Sequence, residues 1–150
     1  MSRSIKLSNN IILSHVEAIN FDICSGTSES NESEVVLTSP RYPFENYEPW
    51  KNCETVVQFH ENTPFRIEFL GEFEISQGCD DNFVEIRNGK GADAPLILKV
   101  CGNTKPDATI AFGSSVKIKF KSGWYGALGF SLKISKLAES EGEYKRWIHN

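Results

Sequence analysis

Apolar residues occur at every second position along several short segments of this 150-residue chain. The clearest examples are residues 65–69, 116–121 and 130–134, where each apolar side chain is followed by a polar or charged one. Successive side chains of a β-strand point to opposite faces, so this period of two predicts strands with one buried face and one solvated face.

Residues that favour turns separate these segments from further short strands predicted at 35–38, 55–59, 84–87 and 96–100. The turn signals are Ser39-Pro40, Tyr42-Pro43 and residues 61–64, 88–91 and 105–107. No long segment has the period of an amphipathic helix. The sequence therefore predicts an all-β domain, built as an antiparallel sandwich or barrel.

The four cysteines are Cys24, Cys53, Cys79 and Cys101. They are even in number, widely spaced and without a CxxC motif, which favours disulfide bonds over a zinc site. Four cysteines allow three pairings, and spacing alone does not choose between them. Disulfide bonds indicate an oxidising compartment, so we expect an extracellular protein.

The two ends of the chain differ from the strand-rich body. Residues 1–23 contain no uninterrupted apolar stretch of the length that a signal peptide requires, so we expect a mature or partial chain of a secreted protein. Residues 138–150 are highly charged and are expected to form a tail. The predicted organisation is an N-terminal extension at 1–23, a domain at 24–137 and a C-terminal tail at 138–150. Asn31 begins an Asn-Glu-Ser sequon and is a predicted glycosylation site.

The charge pattern argues against nucleic acid and membrane partners. The formal net charge is −4, and binding phosphates requires a basic patch. The densest basic group, Lys117, Lys119 and Lys121, alternates with apolar residues, as is typical of the solvent face of a strand. No apolar run is long enough to span a bilayer.

No arrangement of residues predicts catalysis. The histidines His15, His60 and His149 lie in unrelated contexts, and neither HExxH nor GxSxG is present. The paired carboxylates, Glu72 with Glu74 and Asp80 with Asp81, are too common to indicate a site without a cleft. We expect a protein that is not an enzyme.

The order of cysteines, strands and turns between Cys24 and Leu137 resembles the CUB domain family of extracellular modules. The resemblance rests on the Ser-Pro-Arg-Tyr-Pro turn at 39–43, the strand and Asn-Gly turn at 83–89, Val100-Cys101-Gly102 and Gly129-Phe130. It implies a two-sheet, antiparallel, jelly-roll-like β-sandwich stabilised by two disulfides. It also implies the pairing of Cys24 with Cys53 and of Cys79 with Cys101. Such modules are non-catalytic and bind proteins, sometimes glycans.

The same resemblance also shows which residues would correspond to a calcium site. In the calcium-binding members of the family, three acidic positions and a supporting tyrosine form the site. Glu74 and Tyr47 match, whereas Asn82 and Gly123 stand where carboxylates are needed; Asp81 lies one position away. Calcium prefers six to eight oxygens, several of them anionic. We therefore expect weak or no calcium binding and no other cofactor, with Glu74 hydrogen-bonded to Tyr47 or the nearby turn instead.

Large aromatic residues predict a binding surface at one end of the sandwich. Trp124 and Tyr125 lie between glycines, and the family fold brings this loop to the earlier turn that carries Phe44, Tyr47 and Trp50. Exposed aromatic side chains supply binding energy at low entropic cost. We expect Tyr47, Trp50, Trp124 and Tyr125 to bind a protein partner. The alternative for Trp124 is a place at the edge of the core.

Three functions are compatible with the sequence. We favour a protein-interaction module that forms part of a larger secreted or matrix assembly. One alternative is a single-domain secreted protein that binds acidic glycans through the lysines at 117–121 beside Lys133. The other is a structural subunit that assembles through its terminal extensions.

Overall fold

A computed structural model describes residues 19–25 and 33–137 of the chain. Its seven strands are β1 (Ile19–Asp22), β2 (Glu34–Thr38), β3 (Asn52–Glu74), β4 (Phe83–Asn88), β5 (Leu96–Val100), β6 (Thr109–Lys121) and β7 (Gly129–Lys136). The predicted all-β class is confirmed, and each segment with alternating apolar residues forms a strand or part of one. No helix in the described ranges has the length and apolarity needed to cross a membrane.

The strands are hydrogen-bonded in the order β1-β2-β7-β3-β6-β4-β5. The two long strands, β3 and β6, pair with each other in two stretches. Residues 52–58 of β3 pair with residues 115–121 of β6, and residues 63–67 pair with residues 109–113. Beside the first stretch, β6 also pairs with β4, and β4 pairs with β5. The second half of β3 pairs with β7. The register shift between Gln58 and Thr63 is a bulge of the kind that bends strands. The predicted two-sheet sandwich is confirmed, and its layers are hydrogen-bonded into one continuous sheet.

Among the described strands, the pairing of β1 is the only parallel one. β1 pairs in parallel with β2, and Ile23, which follows it, is buried. The ordered sheet therefore includes residues that precede Cys24. Residues 1–18 and 138–150 lie outside the described residues, so the predicted extension and tail stay predictions.

The core lies between the two layers. On β3 the alternation buries Phe65, Ile67 and Phe69, as the sequence predicts. Phe120 of β6 contacts Phe130 of β7 edge-to-face, with 5.5 Å between ring centroids, and this contact joins the layers. Each such buried side chain contributes about 1.5–3 kcal/mol relative to exposure, so the sandwich is stabilised mainly by this interface.

Two disulfide bonds link the strands. Cys24 bonds to Cys53 with 5.1 Å between Cα atoms, and Cys79 bonds to Cys101 with 5.6 Å. This is the pairing that the resemblance implies. The first bond connects the segment after β1 to the start of β3, and the second connects the turn before β4 to the end of β5.

Candidate functional site: an aromatic surface at one end of the sandwich

Three loops meet at the end of the sandwich where β3 begins and β6 ends. They comprise residues 39–51, 75–82 and 122–128. Because rigid strands flank each loop, the side chains that the loops carry are held in fixed relative positions. The candidate site lies on these loops.

Ser122 is the centre of the hydrogen bonds between the first and third loops. Its hydroxyl accepts a hydrogen bond from the Lys51 backbone N–H at 2.8 Å and donates one to the Glu48 carbonyl at 2.9 Å. The Trp50 N–H also donates to the Gly123 carbonyl at 3.0 Å. Ser122 is buried, so these bonds are shielded from water. A lone serine at the end of a strand carries no sequence signal for this role, and sequence reasoning missed it.

Tyr47 lies inside the core and not on the surface. Its ring is only 2% exposed and packs edge-to-face on Phe120 at 4.9 Å. Its hydroxyl accepts a hydrogen bond from the Ser76 N–H at 3.0 Å. Burial raises the pKa of Tyr47 above the ordinary value of 10.0. The prediction that Tyr47 contacts a partner is therefore wrong, because the phenol joins two loops from within.

Gly126 lets the third loop approach Tyr47 closely. A Cβ on Gly126 would lie 2.0 Å from the Tyr47 carbonyl oxygen, a distance that no side chain tolerates. The Tyr47 N–H donates to the carbonyl of Ala127 at 2.9 Å. Only glycine permits this contact, which fixes the loop that carries Trp124 and Tyr125.

Four large aromatic side chains are exposed on these loops. Phe44 is 89% exposed, Trp50 61%, Trp124 74% and Tyr125 77%. The two indoles pack edge-to-face, with 5.0 Å between ring centroids and an interplanar angle of 66°. Trp124 is thus not at the edge of the core, and the two loops meet as the resemblance implies. We call Trp50, Trp124 and Tyr125 the aromatic surface.

The charged side chains of the first loop pair with one another. Glu48 lies 2.6 Å from Arg41 and 3.1 Å from Lys51, and Arg41 also lies 3.4 Å from Glu45. The hydrogen bond from Lys51, followed by the charge of Arg41, lowers the pKa of the Glu48 carboxyl below its ordinary value of 4.5. Arg41, Glu45, Glu48 and Lys51 therefore place paired charges on the loop that carries Trp50.

Asn82 is a buried polar link at the position where the family's calcium site would need a carboxylate. Its side chain is 6% exposed. The amide nitrogen donates to the carbonyls of Gln77 at 2.9 Å and Gly78 at 3.3 Å, and the amide oxygen accepts from the Gly123 N–H at 2.7 Å. An amide satisfies all these partners because it both donates and accepts, which a carboxylate does not.

The remaining calcium candidates are not brought together as a ligand set. A Glu74 oxygen accepts a hydrogen bond from the Leu128 N–H at 3.0 Å, a loop contact and not one with Tyr47. Asp81 is exposed beside Gly123. Across residues 19–25 and 33–137 no group of three or more His, Cys, Asp or Glu residues is placed to hold a metal ion. The donor set therefore does not fit calcium, which needs several anionic oxygens.

Replacing Asn82 with aspartate is expected to lower the free energy of unfolding by about 1–3 kcal/mol. The new carboxylate would face the carbonyl oxygens of Gln77 and Gly78 without a proton to donate. Urea unfolding in metal-free buffer measures the change. Asn103→Asp, at an exposed asparagine, is the matched control, and an equal, negligible effect of both substitutions would contradict the role given to Asn82.

The lysines at 117–121 do not form a basic patch with Lys133. Lys119 lies between Glu54 of β3 and Glu85 of β4, its register partners on either side. Lys133 lies on β7 in the other layer, within 4 Å of two glutamates. The condition for the glycan alternative, that these lysines lie beside Lys133, is therefore not met, because β6 and β7 expose their lysines on different layers. Asn31, the predicted glycosylation site, lies outside the described residues.

Comparison with known proteins identifies the domain. The family model described as "CUB domain" matches residues 24–133. Neuropilin-2 of Rattus norvegicus is 40% identical over 114 residues, which cover 73% of this chain and 12% of that protein. Cubilin of Sus scrofa is 30% identical over 93 residues, which cover 61% of this chain and 2% of cubilin. The chain thus matches only a small fraction of the length of these relatives.

Solved structures agree on the fold. The structure described as the MASP-1 CUB2 domain bound to Ca2+ superimposes with a TM-score of 0.65 at 23% identity, covering 75% of this chain and 99% of that one. The full extracellular region of zebrafish Gpr126/Adgrg6 gives a TM-score of 0.62 at 24% identity, covering 79% of this chain and 15% of that one. The family match extends over more than half of the sequence, and the chain belongs to the CUB domain family.

Proposed function

We propose that this chain is an extracellular protein-interaction module that binds its partner through the aromatic surface and does so without calcium. CUB domains are non-catalytic interaction modules, and this chain is not an enzyme. Its relatives are larger extracellular proteins that contain the matched region as one part. Two disulfide bonds support secretion into an oxidising compartment.

The observation that carries the proposal is the exposed contact between Trp50 and Trp124. Tryptophan and tyrosine are, with arginine, the residues enriched at the energetic centres of protein interfaces. Both indoles remain largely in water in the free module, and hydrogen bonds through Gly123 and Ser122 fix the loops that carry them. Fixed aromatic groups lose little conformational entropy when they bind.

The contacts of Asn82 support calcium independence. In the free module its amide already closes the turn at 77–82 onto Gly123, with both hydrogen-bonding functions engaged. A cation at this position would meet an N–H₂ group and a backbone N–H. Hydrogen bonds between protein groups therefore hold the second and third loops together at this position.

Titration of the protein with calcium chloride in a calorimeter is expected to give no binding in the micromolar range. A chelator is likewise expected to leave the melting temperature unchanged, because Tyr47, Ser122 and Asn82 join the loops by direct hydrogen bonds. Micromolar affinity that Glu74→Ala abolishes would contradict calcium independence, since Glu74 is the clearest surviving carboxylate of the family pattern.

A pull-down from native extracellular fluid tests the interaction itself. We expect the folded wild-type module to retain a protein partner equally well with and without chelator, and the Trp50→Ala/Trp124→Ala variant to lose it. Phe112→Ala is the control, because Phe112 is an exposed aromatic outside the three loops. Equal retention of the same protein by the double variant would refute the proposed surface.

The two alternatives receive less support. Binding of acidic glycans is disfavoured by the glutamates on either side of Lys119 and by the separate layer of Lys133. Assembly through the terminal extensions concerns residues outside the described ranges and stays a prediction.

A further inference from the structure

We infer that Trp50 is the principal anchor of the aromatic surface and that it inserts into an apolar pocket of a folded protein partner. This inference rests on the proposed function and deepens it, because it names one residue and the kind of surface that receives it. Four features of the described residues support it: backbone conformation, exposure, the shape of the surface and local charge.

Trp50 has a backbone conformation that large side chains rarely adopt. Its φ is 63°, in the left-handed region where glycine and asparagine are usual. A bulky residue there is strained because its Cβ approaches the following carbonyl oxygen. Burial does not compensate for this strain, since the indole is 61% exposed. Strained residues of this kind cluster at binding sites.

The strained conformation is held from both sides. The Trp50 N–H donates to the carbonyl of Gly123, and the next residue, Lys51, donates to Ser122 and accepts from its N–H. The indole itself rests against Trp124. The side chain is therefore presented in one orientation before any partner arrives, which reduces the entropy lost on binding.

The aromatic side chains project into solvent, with exposures from 61% for Trp50 to 77% for Tyr125. The cavity near them, of about 150 Å³, is lined by residues 74–77, Gly102, Asn103, Gly126 and Ala127, and by none of the three aromatic rings. A projecting, rigid side chain fits a concave site with fixed walls, which a folded protein provides. We therefore expect the Trp50 side chain of this module to enter a pocket on the partner.

The charges around Trp50 indicate that this pocket is apolar. Arg41, Glu45, Glu48 and Lys51 are paired with one another on the same loop. A charged pocket would have to compete with these pairs, whereas an apolar pocket leaves them intact at the rim. Interfaces with an aromatic anchor and a polar rim have this arrangement.

Melting temperatures of glycine and alanine variants test whether the backbone at Trp50 is strained. Glycine is normally less stabilising than alanine, but it tolerates positive φ. We expect Trp50→Gly to melt about 2–4 °C above Trp50→Ala, and Trp124→Gly to melt below Trp124→Ala, because Trp124 is not among the described residues with positive φ. The same order at both positions would overturn the inference.

Photo-cross-linking identifies the partner surface that contacts residue 50. Trp50 is replaced by p-benzoylphenylalanine, and the full chain is irradiated in native extracellular fluid. We expect adducts in an apolar pocket of a folded domain of another protein. Adducts only to a second copy of this chain, to a glycan or to lipid would overturn the inference, as would the absence of any protein adduct.

The affinity of the cross-linked domain, purified and measured by calorimetry, separates this inference from the proposed function. Trp50→Gly is expected to weaken binding about 30-fold or more, and Trp124→Ala less. If Trp124→Ala and Tyr125→Ala weaken binding while Trp50→Gly does not, the inference fails and the proposed function stands. If none of the three changes affinity, the proposed function fails as well.

Discussion

Replacing Phe120 with alanine is expected to lower the free energy of unfolding by about 3–5 kcal/mol. Phe120 is fully buried and packs edge-to-face on Tyr47 at 4.9 Å and on Phe130 at 5.5 Å. The substitution removes the contact that joins the layers and leaves a cavity that rigid strands cannot close. Because Tyr47 holds two of the loops, the aromatic surface is expected to lose order before the sandwich unfolds.

Urea unfolding followed by far-UV circular dichroism measures this loss. Phe112→Ala is the matched control, since it removes the same side chain from an exposed position of the same strand, β6. We expect the control to lose less than about 1 kcal/mol. A loss for Phe120→Ala no larger than that of the control would contradict the core described above.

Removing the first disulfide by the double substitution Cys24→Ala/Cys53→Ala is expected to lower the free energy of unfolding by about 3 kcal/mol. The bond spans 29 residues, so it restricts the unfolded chain substantially. In the folded state it holds the segment after β1 against the start of β3, where the Thr55 hydroxyl also donates to the Ile23 carbonyl at 3.2 Å. β1 is therefore expected to detach first.

Hydrogen exchange of the β1 and β2 amides measures that detachment, and urea unfolding measures the total effect. Cys79→Ala/Cys101→Ala is the comparison, because its bond spans 22 residues and lies near the loops of the aromatic surface. It is expected to give a similar total loss but faster exchange in the turn at 77–82. Unchanged unfolding midpoints under reducing and non-reducing conditions would contradict both expectations.

Most of the sandwich could be predicted because the alternation on each strand is local. Residues 65–69 and 130–134 show which faces are buried without any knowledge of their neighbours. The parallel pairing of β1 could not be predicted in this way. Its four residues are too short for a periodic signal, and the strand is fixed by the contacts of β2 and Ile23.

The site was predicted less well because its contacts join distant residues. A tyrosine in a turn is usually exposed, yet Tyr47 is buried by Phe120, far along the chain. Asn82 was interpreted as a lost metal ligand, whereas its partners are backbone groups, one of them 41 residues away. The left-handed conformation of Trp50 has no sequence signal, since glycine or asparagine is expected there.

The affinity of the partner for the Trp50→Ala/Trp124→Ala variant tests the central claim most directly. With the partner recovered from extracellular fluid and purified, calorimetry is performed on the wild type, this variant and Phe112→Ala, each shown to be folded. The aromatic surface predicts a loss of about 30-fold or more for the double variant, an unchanged affinity for Phe112→Ala, and no effect of chelator. Wild-type affinity in the double variant would show that the partner binds elsewhere on the sandwich.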